Sequence, residues 1–229
     1  GARTGRGRRG WSRRASRLAG AQDAAAAAAR AAELIATRIA AADGRGFALG
    51  VSGGRTPPLM FRLLAERDDL PWDGVEAWQA DERIAPPGSP RNPGFVGSGL
   101  GDRLFMHWMP VEEPDLDRAA EDYAMGLPDA FDVIHLGLGA DGHTASLIPG
   151  DPVADVRDRA VAFSRPYQGF PRMTLTIPVL DAAREIVWLV TGEEKREALA
   201  LLLAGDASIP AGAVRPRSGV VVADRDAAG

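Results

Sequence analysis

Asp141 and His143 have the residue types and spacing for acid–base chemistry. They lie in the stretch 131–150, FDVIHLGLGADGHTASLIPG. An imidazole, whose ordinary pKa is about 6.5, takes up and returns a proton near neutral pH. A carboxylate beside it fixes its orientation and favours the imidazolium form. Two residues apart on a turn, the two side chains need not touch. One Asp and one His are too few for a metal site, and the chain's other histidines, His107 and His135, stand in different contexts. His135 lies inside an apolar run and reads as a core residue.

A second group of residues suits anions. Ser52-Gly53-Gly54-Arg55-Thr56-Pro57 is a glycine turn opening a helix, where backbone N–H groups can face an anion. Ser52 and Thr56 add hydroxyls and Arg55 adds charge. The spacing matches neither a Walker loop nor a dinucleotide fingerprint. Asp81-Glu82-Arg83 follows an apolar segment; Arg83 could hold an anion or a developing oxyanion, with the two acids orienting it. Taken alone, that trio also reads as a solvated charge cluster. Arg172 and Lys195 flank apolar segments, and a lysine opening a helix opposes the macrodipole unless an anion is near.

Alternating strands and helices must position these groups. A helix is expected over 19–42, with Leu34, Ile35 and Ile39 as its stripe. A strand follows at 47–51, then a helix capped by Thr56 with Pro57 at its first position, carrying Leu59, Met60, Leu63 and Leu64 inward. The next strand, 75–80, exits into Asp81, and a Pro/Gly-rich loop runs to about Gly101. A helix over 114–125 leads to the strand ending at Gly137. Further strands are expected at 160–163, 173–177, 186–190 and 220–223, with a helix over 192–203. Uniformly apolar strands alternating with helices predict an α/β fold with a doubly wound, mostly parallel sheet. Such sheets bind ligands beyond the strands' C-terminal ends.

Composition sets the bounds. The chain has 229 residues, no cysteine and a formal charge of −4. Disulfide and thiolate chemistry are excluded, and a cytoplasmic setting is expected. Residues 1–20 hold seven arginines and no acid, so setting those seven charges aside leaves −11 on the rest. An acidic body argues against nucleic acid as the partner. No run reaches the roughly 20 apolar residues of a membrane span. The expected organisation is a basic, disordered leader over 1–20 and one α/β domain over 21–229.

Taken together, LGVSGGRTP, ADER, LGLGADGHTASLIPG, PRMTLTIPVLDAAREIVWLVTGEEKREAL and the closing VVVADRDAA resemble the 6-phosphogluconolactonase family, within the wider glucosamine-6-phosphate isomerase-like fold. They run in that family's order from about Phe47 to the C-terminus. The resemblance implies a modified Rossmann-like sheet and hydrolysis of a sugar-phosphate lactone. It implies no cofactor, no membrane and a small-molecule partner, and a monomer is expected. It implies His143 as the base that activates water, supported by Asp141. Arg83 would stabilise the oxyanion. Ser52, Gly53, Gly54, Arg55, Thr56, Asp81, Asn92, Arg172 and Lys195 would bind the phosphate or the polar sugar edge. The chain departs from the family in carrying Arg55 in the glycine turn, Gln79-Ala80 before the acid, and only Asn92 of the usual Ser-Asn-Tyr stretch. An amino-sugar phosphate isomerase on this fold, or a non-catalytic sugar-phosphate sensor, are the alternatives; the isomerases carry an acid soon after the histidine, and 144–150 has none.

Overall fold

Successive side chains along the buried strands feed two cores on opposite faces of one sheet. The computed structural model describes residues 16–86, 89 and 100–229. Its strands are β1 (Arg17–Gly20), β2 (Phe47–Val51), β3 (Val75–Gln79), β4 (Asp81–Arg83), β5 (Phe105–His107), β6 (Val133–Gly137), β7 (Val161–Tyr167), β8 (Phe170–Leu175), β9 (Glu185–Val190) and β10 (Gly219–Ala223). The main helices are α1 (Ala24–Ala40), α2 (Pro57–Ala65), α3 (Leu116–Met125), α4 (Ile177–Ala182) and α5 (Arg196–Ala204). Seven strands form a parallel sheet in the order β1-β10-β9-β6-β2-β3-β5.

The period of two sorts the strand residues. Val133, Val187, Leu189, Val220 and Val222 face α1 and α2, meeting Ile35, Ile39, Met60 and Leu64. Ile134, Leu136, Ile186, Trp188 and Val221 face the other way, toward Tyr123 of α3 and Leu199 and Leu202 of α5. Burial on both faces is why these strands read as uniformly apolar. Ala27, Ala28, Ala31 and Ala32 are buried, and their small side chains let α1 lie close to its neighbours.

Several expectations are corrected. α1 begins at Ala24, because Asp23 caps it by accepting from Ala26 N at 2.8 Å. The residues before it form β1, an edge strand paired with β10, so the stretch read as leader joins the sheet from Arg17. Residues 1–15 lie outside the described residues, as do Asn92 and most of the Pro/Gly-rich loop. β5, which had no signal in the sequence, adds the opposite edge. Asp81–Arg83 is a strand rather than a loop. With β8 and β7 it forms a separate antiparallel sheet, order β4-β8-β7. The strands expected at 160–163 and 173–177 are therefore one hairpin, closed by Gln168 (φ 52°) and Gly169 (φ 93°). Two central residues with positive φ match the twist of the flanking strands. Pro166 and Pro171 within the strands hid their extent.

Candidate active site

The four central parallel strands β9, β6, β2 and β3 end on one edge, and the loops after them meet there. Chain order reverses between β6 and β2, which is where open α/β sheets open a crevice.

The β6 exit carries the acid–histidine pair. Its loop is closed by backbone bonds from Gly139 N to His143 O (2.8 Å) and from Gly142 N to Gly139 O (3.0 Å). Thr144 Oγ1 ties the loop back to Gly137 O at 3.0 Å. The side chains do touch: Asp141 Oδ1 lies 2.6 Å from His143 Nδ1 and also accepts from His143 N at 3.2 Å. A carboxylate there holds the proton on Nδ1 and leaves Nε2 as the acceptor. Gly139 makes the contact possible, since a Cβ there would overlap both His143 Nδ1 and Asp141 Oδ1. Burial is the largest influence on Asp141 and raises its pKa. The charge of His143 and hydrogen bonds from His143 and Tyr167 outweigh it, leaving Asp141 below its usual value.

Asp81 and Glu82 are buried, contrary to a solvated cluster. Asp81 accepts from Ser52 Oγ at 2.8 Å on one oxygen and from Ser146 Oγ at 2.6 Å on the other. It thus joins the β2 exit to the loop after His143. Glu82 accepts from Gln79 Nε2 (3.0 Å) and from Arg83 N (2.7 Å). Gln79 is anchored in turn by Met109 N at 2.7 Å. Both acids serve the protein's own polar groups, and Arg83 is the more exposed member of the trio.

Arg83 pairs directly with Arg172 across β4 and β8. The carboxylates of Asp81 and Glu82 act on Arg172 against that like charge. Arg172 is buried, and among the described residues its Nε has no hydrogen-bond partner. Burial lowers its pKa most, with Arg83 adding to that and Asp81 opposing it. Its NH2 approaches Tyr167 O at 3.3 Å, and its guanidinium lies 5.1 Å from the Tyr167 ring centre.

The glycine turn lies at the β2 exit. Gly54 has φ +131°, a conformation that L side chains rarely adopt. Arg55 is exposed. Thr56 stands at the N-cap of α2 but makes no capping bond; its backbone is helical (φ −80°, ψ −42°) where a capping residue is ordinarily extended. Its hydroxyl instead meets Thr191 Oγ1 at 3.2 Å, joining the turn to the β9 exit. There Gly192 N donates to the Asp224 carboxylate at 3.1 and 3.2 Å. The next residues form a short turn, Glu193–Lys195, that leaves Lys195 partly exposed at the start of α5.

The structure thus brings Ser52, Thr56, Asp81, Arg83, Asp141, His143, Arg172 and Lys195 onto loops and strands around one edge. Sequence reasoning missed Tyr167, Ser146 and Asp224. Only Asp224 had a signal, as the acid before a short helix in the closing VVVADRDAA. His135 is fully buried, and neither ring nitrogen has a hydrogen-bond partner of ordinary geometry. Its ring meets Phe61 edge-on at 5.4 Å. A separate cleft of about 450 Å³ between 149–157 and 207–213 is lined by Asp151, Asp155, Arg157 and Ser208, and by none of these site residues. Among the described residues no group of three or more His, Asp or Glu could hold a metal ion, and no helix is long and apolar enough to cross a membrane.

A carboxylate-oriented imidazole at the switch point of a parallel sheet is the arrangement of an α/β enzyme. The family model of glucosamine-6-phosphate isomerases/6-phosphogluconolactonase matches residues 22–223, and the chain belongs to that family. It is 34% identical over 204 residues to a 6-phosphogluconolactonase of Synechocystis, covering 81% of this chain and 84% of the relative. The crystal structure of 6-phosphogluconolactonase from Thermotoga maritima superposes with TM-score 0.80 at 27% identity, covering 92% of this chain and all of that one. A monomeric glucosamine-6-phosphate deaminase shares the fold, with TM-score 0.77 at 20% identity over 93% of this chain and 98% of that one.

Proposed function

We propose that this chain hydrolyses 6-phospho-D-glucono-1,5-lactone to 6-phospho-D-gluconate, the second step of the oxidative pentose phosphate pathway, with His143 as general base. One observation carries the reading: the 2.6 Å contact between Asp141 and His143 Nδ1, beside the sheet's switch point. Asp141 holds the Nδ1 proton, and His143 Nε2 takes a proton from water as its oxygen adds to the lactone carbonyl. Arg83 or backbone N–H groups stabilise the tetrahedral oxyanion. The carbonyl reforms, the bond to the ring oxygen breaks, and the imidazolium returns its proton to that oxygen. The product acid ionises, and nothing in the sequence of steps calls for a cofactor.

The phosphate is assigned to the turn Ser52, Gly53, Gly54, Arg55 and Thr56, with Lys195 and Arg172. The buried Nε of Arg172, unpartnered among the described residues, supports an anion there. Asp81 organises Ser52 and Ser146 beneath it, and Asn92 is assigned to the sugar edge. An acidic body supports a small-molecule partner over nucleic acid. We hold the enzyme to be cytoplasmic.

The test is lactone opening above its spontaneous rate. His143→Ala is expected to lower kcat at least 100-fold or so, as removal of a general base does. An unchanged rate would remove His143 from the mechanism. Ammonia release from glucosamine 6-phosphate would favour the isomerase chemistry instead.

A further inference from the structure

We propose that Tyr167 is a positioning residue for the general base: its hydroxyl holds Asp141 in the orientation that accepts the Nδ1 proton of His143. The inference rests on the reading of His143 as base. Tyr167 OH donates to Asp141 Oδ2 at 2.9 Å, while Oδ1 of the same carboxylate holds His143 Nδ1 at 2.6 Å. The two oxygens are thus divided between two rings from different parts of the chain. The Asp141 side chain is 40% exposed. Without the tyrosine, one oxygen would face water and the carboxylate could rotate away from the imidazole.

Tyr167 is itself fixed. It ends β7 at the tip of the hairpin, just before the two positive-φ residues that turn the chain. Arg172 approaches one side of its ring at 5.1 Å and bonds its carbonyl. His143 packs against it edge-on, with ring centres 5.2 Å apart. The hydroxyl also comes within 3.4 Å of His143 Nδ1. Since that nitrogen already gives its proton to Asp141, the tyrosine proton goes to the carboxylate. Burial, then the bond to Asp141, raises the Tyr167 pKa, so it stays a donor.

Among the described residues, the titratable groups facing His143 are Asp141 from its own loop and Tyr167 from the hairpin, with Arg172 behind the tyrosine. This sets the sign of a pH effect. Removing the tyrosine lets the carboxylate turn from the ring, so a protonated imidazole is held less well. The acid limb of kcat/KM should move to lower pH in Tyr167→Phe, in the same direction as in Asp141→Asn and by less.

The experiment compares wild type, Tyr167→Phe, His143→Ala and the Tyr167→Phe/His143→Ala double variant in lactone hydrolysis. It adds 15N spectra of the histidine ring. Tyr167→Phe is expected to lower kcat on the order of tenfold with KM within about twofold. It should mix the His143 tautomers that wild type keeps as Nδ1–H. In the His143→Ala background it should add less than about twofold, because residues acting as a unit are not additive. An unmoved acid limb and an unchanged tautomer in Tyr167→Phe would overturn the proposal, as would an equal loss in the absence of His143. If wild type opens no lactone, the hydrolase reading fails, and the tautomer comparison alone decides the role of Tyr167.

Discussion

His135 makes this fold sensitive to acid, by an amount that can be worked out. The residue sits mid-strand in β6, beside Val51 of β2, with no exposed surface. Burial lowers its pKa from 6.5 to about 3, against a smaller opposing pull from the Ser52 backbone. Between those two values the unfolded chain binds a proton that the folded chain refuses. Stability therefore rises with pH across this window and is lost on acidification. The slope is about 1.4 kcal/mol per pH unit, so about 2 kcal/mol is gone by pH 5 and about 5 kcal/mol near pH 3. Against a typical total of about 5–15 kcal/mol, that is a large share. His135→Leu removes the titrating group and two nitrogens that lack a hydrogen bond of ordinary geometry, while keeping an apolar side chain of similar size against Phe61. Urea unfolding at pH 7.5 and pH 5.0, followed by tryptophan fluorescence, measures the effect. The variant should match or exceed wild type at pH 7.5 and lose about 2 kcal/mol less on going to pH 5.0. Other titrating groups are common to both proteins and cancel. Parallel losses in the two proteins would refute the reasoning.

Gly139→Ala places a methyl group where His143 Nδ1 and Asp141 Oδ1 now sit. It should cost on the order of 100-fold in kcat with the chain still folded, since an ångström of misplacement suffices for that; wild-type kcat in a folded variant would show that the pair's geometry is not needed. Ser146→Ala removes the buried 2.6 Å bond to Asp81. A loss of about 1.5–3 kcal/mol in urea unfolding is expected, as for hydrogen bonds to charged groups, and an unchanged midpoint would mean that Asp81 does not hold the two loops together.

The regular elements were legible wherever burial on both faces left an apolar run. β2, β3, β6, β9 and β10 fall within a residue or two of where hydrophobicity puts them. The edges were not legible. β1 is held by β10, some two hundred residues away in the chain, and its Leu18 is exposed, so nothing local marks Arg17–Gly20 as a strand. β5 is three residues long and presents Phe105 to solvent. Edge strands need only one neighbour and little burial, and their composition shows it. The β7–β8 hairpin failed for another reason. Its turn uses Gln168 where Asn or Asp commonly precedes the glycine, so the strongest short-range hairpin signal was absent.

The site divides along the same line. Asp141 and His143 were legible because their contact closes within three residues, one carboxylate oxygen serving both the backbone N–H and the ring. The groups that hold the site together were not, because each reaches across the fold. Tyr167 meets Asp141 over 26 positions, Ser146 meets Asp81 over 65, and Asp224 meets Gly192 over 32. The trio Asp81-Glu82-Arg83 shows why composition cannot stand in for such partners. A solvated cluster and a buried hydrogen-bonded network are spelled with the same letters. What separates them here is Gln79, which spends its amide on Met109 and Glu82 and so allows the acid to be buried. A buried charge survives only when its lone pairs are met. Once Glu82 and Asp81 are satisfied from within, neither is needed by the surface. Arg83 is then the charge of the trio left nearest to solvent, in register with Arg172 on the neighbouring strand.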